Sequence, residues 1–231
     1  MAGFLSANQR RLLGAMDIPV WISRPTAEEA DPAEVEPDAP VTGLDHQDVW
    51  SALQRQVSGC TQCPLHQSRT QTVFGVGNRS ADWMIIGEAP GGDEDRQGEP
   101  FVGRAGQLLN EMLRAVGLER EQVYIANILK CRPPGNRDPK PDEVSACSGY
   151  LQRQVELIQP RLILAVGRVA AQNLLEEDLP VGRMRGNVYR FGRLEIPVVV
   201  TYHPAYLLRS PSQKRKAWED LCLARNQLAP T

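Results

Sequence analysis

The stretch Trp83-Met84-Ile85-Ile86-Gly87-Glu88-Ala89-Pro90-Gly91 is four apolar residues running into a turn of two glycines and a proline. Short apolar runs of this kind, bounded by turn residues, read as buried strands. Working outward, three more follow: Val123–Ile128, Leu162–Val166 and Val198–Thr201. Helical patterns lie between them. Leu108, Leu109, Met112, Leu113 and Val116 share one face, and Val144, Cys147, Leu151, Val155 and Ile158 share another before Pro160 stops the helix. A shorter pattern holds Ala170, Leu174 and Leu175, and a last helix spans about 212–228. Strand–helix alternation predicts an α/β fold: a three-layer α/β/α sandwich around a four-stranded parallel sheet. Ligands of such sheets bind beyond the carboxyl ends of the strands. Gly87–Gly91, Asn127–Pro134, Gly167-Arg168 and Tyr202–Ala205 each follow a strand, so four loops are expected to converge on one rim.

The ends of the chain differ in composition. Residues 1–50 carry 3 basic and 9 acidic side chains, leaving 23 basic and 19 acidic for the remainder. A mildly basic domain beside an acidic segment suits a polyanionic partner. Residues 25–44 include the run Pro25–Pro40, rich in Pro, Ala, Glu and Asp, and read as an acidic linker. They separate an apolar peptide, 1–24, from a domain at 45–231. No apolar run approaches the roughly 20 residues of a membrane span. Arg10 and Arg11 follow the first apolar residues, unlike a signal peptide. The expectation is a cytoplasmic, nucleoid-associated monomer of bacterial type with no membrane partner.

Each loop carries a candidate group. Gly87-Glu88-Ala89-Pro90-Gly91 can present backbone N–H groups while holding one carboxylate outward, or it simply ends a strand. Phe101, in Gly98-Glu99-Pro100-Phe101-Val102-Gly103-Arg104-Ala105-Gly106, sits between glycines rather than on a helical face. It is placed to stack on a flat ligand or to plug the top of the core. Asn127 precedes Ile128-Leu129-Lys130-Cys131-Arg132-Pro133-Pro134; its carboxamide offers an acceptor beside two donors, or satisfies local backbone. His203 is one of three histidines and is fixed by Pro204. Leu207, Leu208 and Arg209 follow on what reads as an exposed turn, an apolar wedge beside a phosphate-binding cation. Cys60-x2-Cys63, then x67 to Cys131 and x15 to Cys147, is a ligand pattern for zinc or a [4Fe–4S] cluster, which spacing does not separate. Cys222 falls outside it and reads as a core residue.

Together these pieces resemble the family 4 uracil-DNA glycosylases, the iron–sulfur branch of the uracil-DNA glycosylase superfamily, over about residues 50–225. The resemblance rests on Gly-Glu-Ala-Pro-Gly at 87–91, Pro-Phe-Val-Gly-Arg-Ala-Gly at 100–106, Asn-Ile-Leu-Lys-Cys-Arg-Pro-Pro at 127–134 and Thr-Tyr-His-Pro-Ala at 201–205. It implies a monofunctional glycosylase that flips deoxyuridine out of single- or double-stranded DNA and leaves an abasic site. By the same resemblance Phe101 stacks on uracil and Asn127 reads its edge, with Gly87, Glu88 and Ala89 supplying the turn. His203 hydrogen-bonds uracil O2 as the bond to the sugar lengthens, and Glu88 orients water or stabilises the sugar cation. The resemblance also implies a structural [4Fe–4S] cluster on Cys60, Cys63, Cys131 and Cys147. It tethers a loop whose Arg132, with Arg137 and Lys140, faces DNA. Arg183, Arg185, Arg190, Arg193 and Lys214-Arg215-Lys216 are weaker phosphate candidates.

Residues 8–24 lie outside this likeness. Their Leu, Ile, Trp and Arg spacing is similar to the N-terminal peptide by which the psi subunit of bacterial DNA polymerase III binds the clamp loader, implying a replication partner; a helix packed on its own domain is the alternative. Two rivals to the glycosylase reading exist. A cross-linking relative needs a reactive His, and none lies between His66 and His203. A non-catalytic uracil-DNA-binding or polymerase-associated protein would release no uracil.

Overall fold

The computed structural model describes residues 46–228, so the N-terminal peptide and the whole linker lie outside the described residues. The strands are β1 (Val76–Gly77), β2 (Trp83–Gly87), β3 (Tyr124–Asn127), β4 (Leu162–Val166), β5 (Val188–Phe191) and β6 (Ile196–Thr201). They form one sheet in the order β1-β3-β2-β4-β6-β5. The inner four, β3, β2, β4 and β6, are parallel, and β1 and β5 pair antiparallel at the two edges.

All four expected runs are therefore strands, but the sheet is six-stranded and mixed rather than four-stranded and parallel. The two additions carry weak sequence patterns for physical reasons. A two-residue β1 has no periodicity to read. In β5 every residue is half-buried or exposed, because an edge strand covers little core, and its Arg190 made it look like part of a basic loop. A tight turn at Gly192–Glu195 folds it back onto β6, with the Glu195 N–H donating to the Gly192 carbonyl at 3.3 Å.

The helices are α1 (His46–Ser58), α2 (Gly92–Gln97), α3 (Arg104–Ala115), α4 (Pro141–Ile158), α5 (Arg168–Leu175), α6 (Val181–Met184), α7 (Pro204–Arg209) and α8 (Lys214–Asn226). The alternation of side chains along each strand sorts them into two layers. Met84, Ile86, Ile163, Ala165, Val198 and Val200 face α1, α4 and α5, meeting Trp50, Leu151, Val155 and Leu174. Trp83, Ile85, Leu162, Leu164 and Val199 face the other way onto α3 and α8, meeting Leu109, Leu113 and Leu221. Each Val, Leu, Ile or Met among them contributes about 1.5–3 kcal/mol when fully buried. The sheet is thus a rigid platform, and its upper edge is what the loops stand on.

Candidate active site

The loops after β2, β3 and β6 enclose a cavity of about 440 Å³ at the carboxyl ends of the strands. Glu88, Ala89, Phe101, Asn127, His203 and Arg209 all line it. Sequence reasoning placed these six on four separate segments, and the fold brings them together.

β2 and β3 continue side by side past their ends. The Ile128 N–H donates to the Gly87 carbonyl at 2.9 Å, and the Leu129 N–H to the Glu88 carbonyl at 3.1 Å. Asn127 is thereby pinned against Gly87, with its side chain only 2% exposed. Among the described residues no hydrogen bond to the carboxamide is formed, so its donors and acceptor are left for whatever enters the cavity. Gly87 lies beneath. A Cβ there would stand 2.6 Å from Phe101 Cζ and collide with Asn127 Oδ1, so only glycine lets these two side chains meet over the strand end.

Phe101 answers to both of its sequence readings. Its ring is buried and belongs to the α3-side core, yet it also lines the cavity. The backbone is held at φ 53, in the left-handed region. Three hydrogen bonds keep it there. Arg120 donates to the Pro100 carbonyl at 2.6 Å and to the Phe101 carbonyl at 3.3 Å, and Glu94 accepts the Val102 N–H at 3.2 Å. Arg120 and Glu94 had no sequence signal; both sit in charged stretches that read as solvated surface.

His203 caps α7. Its Nδ1 accepts the Ala205 N–H at 3.1 Å, which leaves the ring proton of the neutral imidazole on Nε2. Burial, and then the Arg209 charge, hold its pKa down at about 4. At neutral pH the ring is an uncharged donor. Its centroid is 5.6 Å from that of Phe101, with the planes 30° apart. Gly167 (φ 95) leaves room for the approach, since a Cβ there would be 3.0 Å from His203 Cβ.

Glu88 is half-buried, and burial raises its pKa above the usual 4.5; nearby Asp138 raises it further while Arg168 opposes. Asp138 lines the same cavity and pairs with Arg168. Asp138 was not anticipated as a site residue, because the β3–α4 loop that supplies it has no periodicity.

One expected DNA contact sits elsewhere. Leu207 is 1% exposed and packs in the core, so it is no wedge; the next residue, Leu208, is 37% exposed. A short helix turns successive side chains by about 100°, and the exposed turn read from the sequence is α7, with its 207 position facing inward. Arg132 lies outside the cavity lining, where its Nε donates to Asn136 Oδ1 at 2.7 Å.

The four cysteines line a second, small cavity. Cys131 and Cys147 are buried, Cys60 and Cys63 half-buried, and all are free thiols. Among the described residues no three His, Cys, Asp or Glu side chains are grouped to hold a metal ion. Burial raises the Cys131 pKa and pushes Cys147 up to about 11. Against that, Arg69 Nη1 donates to Cys131 Sγ at 3.0 Å and the Lys130 N–H to Cys147 Sγ at 3.3 Å. Donors aimed at sulfur favour the thiolate, the form that ligates iron.

The sequence model of the Uracil DNA glycosylase superfamily matches residues 74–222. A type-4 uracil-DNA glycosylase of Archaeoglobus fulgidus is 51% identical over 172 residues, covering 71% of this chain and 85% of its own length. One from Sulfurisphaera tokodaii is 43% identical, covering 75% and 82%. One from Thermotoga maritima is 42% identical, covering 78% and 95%. The matched span takes in every loop of the cavity, and the chain belongs to the uracil-DNA glycosylase superfamily and, within it, to the type-4 uracil-DNA glycosylases.

Proposed function

We propose that this chain is a DNA-repair hydrolase that cleaves the N-glycosidic bond of deoxyuridine in DNA, releasing uracil and leaving an abasic site. The observation that carries this is the unengaged Asn127 carboxamide, sharing one cavity with an aromatic face and a neutral imidazole donor. Uracil presents N3–H beside O4; cytosine presents the reverse polarity, so an amide held one way round accepts the first and rejects the second. Phe101 stacks on the flipped base and the Gly87–Ala89 turn lies against its rim. As the bond to the sugar lengthens, negative charge moves onto the base, and His203 Nε2–H donates to O2. One such donor is worth about 3–4 kcal/mol in the transition state.

Glu88 orients the attacking water and offsets the positive charge on the sugar. No lysine is among the residues lining the cavity, so water is the nucleophile and the strand is not cut. Arg209 on the rim, Leu208 beside it and Arg132 nearby contact the DNA backbone and stack.

Cys60, Cys63, Cys131 and Cys147 would hold a [4Fe–4S] cluster, which ties the 60–63 segment to the loop after β3 and to α4 and so supplies structure rather than chemistry. The domain at 45–231 acts as a cytoplasmic, nucleoid-associated monomer. Residues 8–24 are a tethered clamp-loader peptide on sequence likeness alone. Removing residues 1–24 is expected to leave excision from naked DNA intact.

The test is release of free uracil from single- and double-stranded oligonucleotides by the iron-loaded full chain. Asn127→Ala and His203→Ala, both folded, are expected to lose most of that activity. Binding of uracil-DNA with no release would point to the non-catalytic alternative.

A further inference from the structure

Asn127 is only as selective as its carboxamide is fixed, and the fixing is done by a buried polar pair the site does not otherwise use. β1 and β3 pair as Val76 with Ile125 and Gly77 with Tyr124. Continued by that register, Phe74 would oppose Asn127, but the ladder has already ended. Two side chains fill the gap. Lys130 Nζ donates to the Asn127 carbonyl at 3.0 Å and to Gln154 Oε1 at 2.6 Å. Gln154 Nε2 donates in turn to the Phe74 carbonyl at 2.9 Å and to Tyr124 Oη at 3.1 Å. Lys130 is 1% exposed and Gln154 0%.

On its other side, the peptide joining Asn127 to Ile128 is held by the Ile128 N–H donating to the Gly87 carbonyl. The plane of that peptide is therefore gripped at both ends. Gripping it sets the Cα–Cβ direction of Asn127 and, with it, the side from which the carboxamide faces the cavity. Among the described residues no carboxylate forms an ion pair with Lys130, and a buried lysine so placed is a poor way to stabilise a core, where apolar residues of like volume do as well or better.

We propose that Lys130 and Gln154 are positioning residues: by locking the 127–128 peptide they aim the Asn127 carboxamide at the base edge and set the preference for uracil over cytosine. This rests on the reading of Asn127 given under the proposed function.

The experiment is a double-mutant cycle on the full, iron-loaded chain. It combines Lys130→Met with Asn127→Ala, and Gln154→Leu with Asn127→Ala, and measures kcat/KM for uracil excision, inhibition by free uracil, and excision of cytosine. In the parent background each positioning variant is expected to lower kcat/KM on the order of 100-fold, as an ångström-scale misplacement does. Inhibition by free uracil weakens in step, and the uracil-to-cytosine ratio narrows. In the Asn127→Ala background the same changes are expected to cost no more than about 2-fold. Gln154→Glu, which keeps the acceptor for Lys130, is expected to restore most of the activity that Gln154→Leu loses.

Lys130 neighbours Cys131, so iron content and the brown absorbance are recorded for every variant. If Lys130→Met fails to fold or load iron, the Gln154 cycle decides. Equal losses in both backgrounds would overturn the positioning role while leaving the glycosylase reading intact. An Asn127→Ala variant as active and selective as the parent would overturn it as well. A parent protein that releases no uracil would instead sink the reading beneath it.

Discussion

The two walls of the cavity are built by different means. On the β2–β3 side, main chain is hydrogen-bonded to main chain beyond the strand ends, and Lys130, Gln154 and Arg120 brace the loops from behind. On the β4–β6 side, the single hydrogen bond from Ala205 orients His203, and room comes from Gly167. On the proposed function, the first wall recognises a shape and polarity, which demands fixed donors and acceptors. The second presents one uncharged donor where charge develops, which burial largely secures. That proposal gives recognition to the stiff wall and chemistry to the simple one.

The sharpest way to break that division is to remove one group from each wall. His203→Ala is expected to lower kcat by roughly 100- to 1000-fold, with inhibition by free uracil little altered. Asn127→Ala is expected to raise the inhibition constant for free uracil and to narrow the uracil-to-cytosine ratio along with its loss of rate. Should both variants shift kcat and free-uracil binding in the same proportion, the walls do not divide the work.

Gly87→Ala tests the stiff wall from beneath. The new methyl would meet Phe101 and Asn127 together, and neither can retreat, since each loop is braced. A loss of about 100-fold in kcat/KM is expected, with the absorbance of the iron-loaded protein unchanged. Gly167→Ala, on the opposite wall, meets His203, its Cβ first at 3.0 Å, and its φ of 95 adds backbone strain. Its cost should fall on kcat and spare free-uracil inhibition.

The pH profile separates Glu88 from His203, two of the ionisable groups that line the cavity. Glu88 is raised above 4.5, by burial first and Asp138 second, whereas His203 is held down at about 4, by burial first and Arg209 second. As pH falls from 7, Glu88 takes up its proton before His203 does. The acid limb of kcat therefore belongs to Glu88 and should lie above pH 4.5. Glu88→Gln lowers the plateau but removes that limb, leaving activity level until His203 protonates near pH 4. An unmoved acid limb in Glu88→Gln would show that Glu88 does not act as a carboxylate.

What the sequence made legible follows the same division. The inner strands announce themselves because both faces are buried, giving unbroken apolar runs such as Leu162–Val166. Phe101, Asn127 and His203 stand out as residue types that do not belong where they fall. The bracing does not. Arg120 and Glu94 are charged residues in charged stretches, and only the fold shows that they turn back onto the Phe101 loop. Lys130 sits in a motif that drew notice for its Asn and Cys. Edge strands β1 and β5 are hidden because an edge has little to bury. Leu207 and Leu208 are the instructive pair: sequence places both on one turn, and the helical rotation of α7 gives one to the core and the other to solvent.

Arg120→Met is expected to act more mildly. It frees the Pro100 and Phe101 carbonyls, so the left-handed Phe101 backbone can relax and the stacking face loosens. A rise in KM of about 10-fold, with kcat nearly kept, corresponds to roughly 1.4 kcal/mol of uniform binding. A fall in kcat alone would mean that Phe101 serves the transition state rather than the bound base, moving it from the recognising wall to the chemical one.

The smallest effect is expected at the tip of α7, and it depends on the substrate. Leu208 is exposed beside Arg209, which lines the cavity. In a duplex the flipped nucleotide leaves a gap, and an apolar side chain that fills it offsets part of the unstacking cost, a few kcal/mol in all. A single strand has no such gap. Leu208→Ala should therefore slow excision from double-stranded DNA by about 3- to 10-fold, a fraction of that cost, and leave single-stranded rates alone. Leu207→Ala is the control. It removes a buried side chain, costing about 2–5 kcal/mol of stability, and should lower the melting temperature without distinguishing the two substrates. If Leu208→Ala slows both substrates equally, the side chain supports the His203 loop rather than the DNA stack. The β4–β6 wall would then be braced from outside, and the contrast between the two walls would be one of degree.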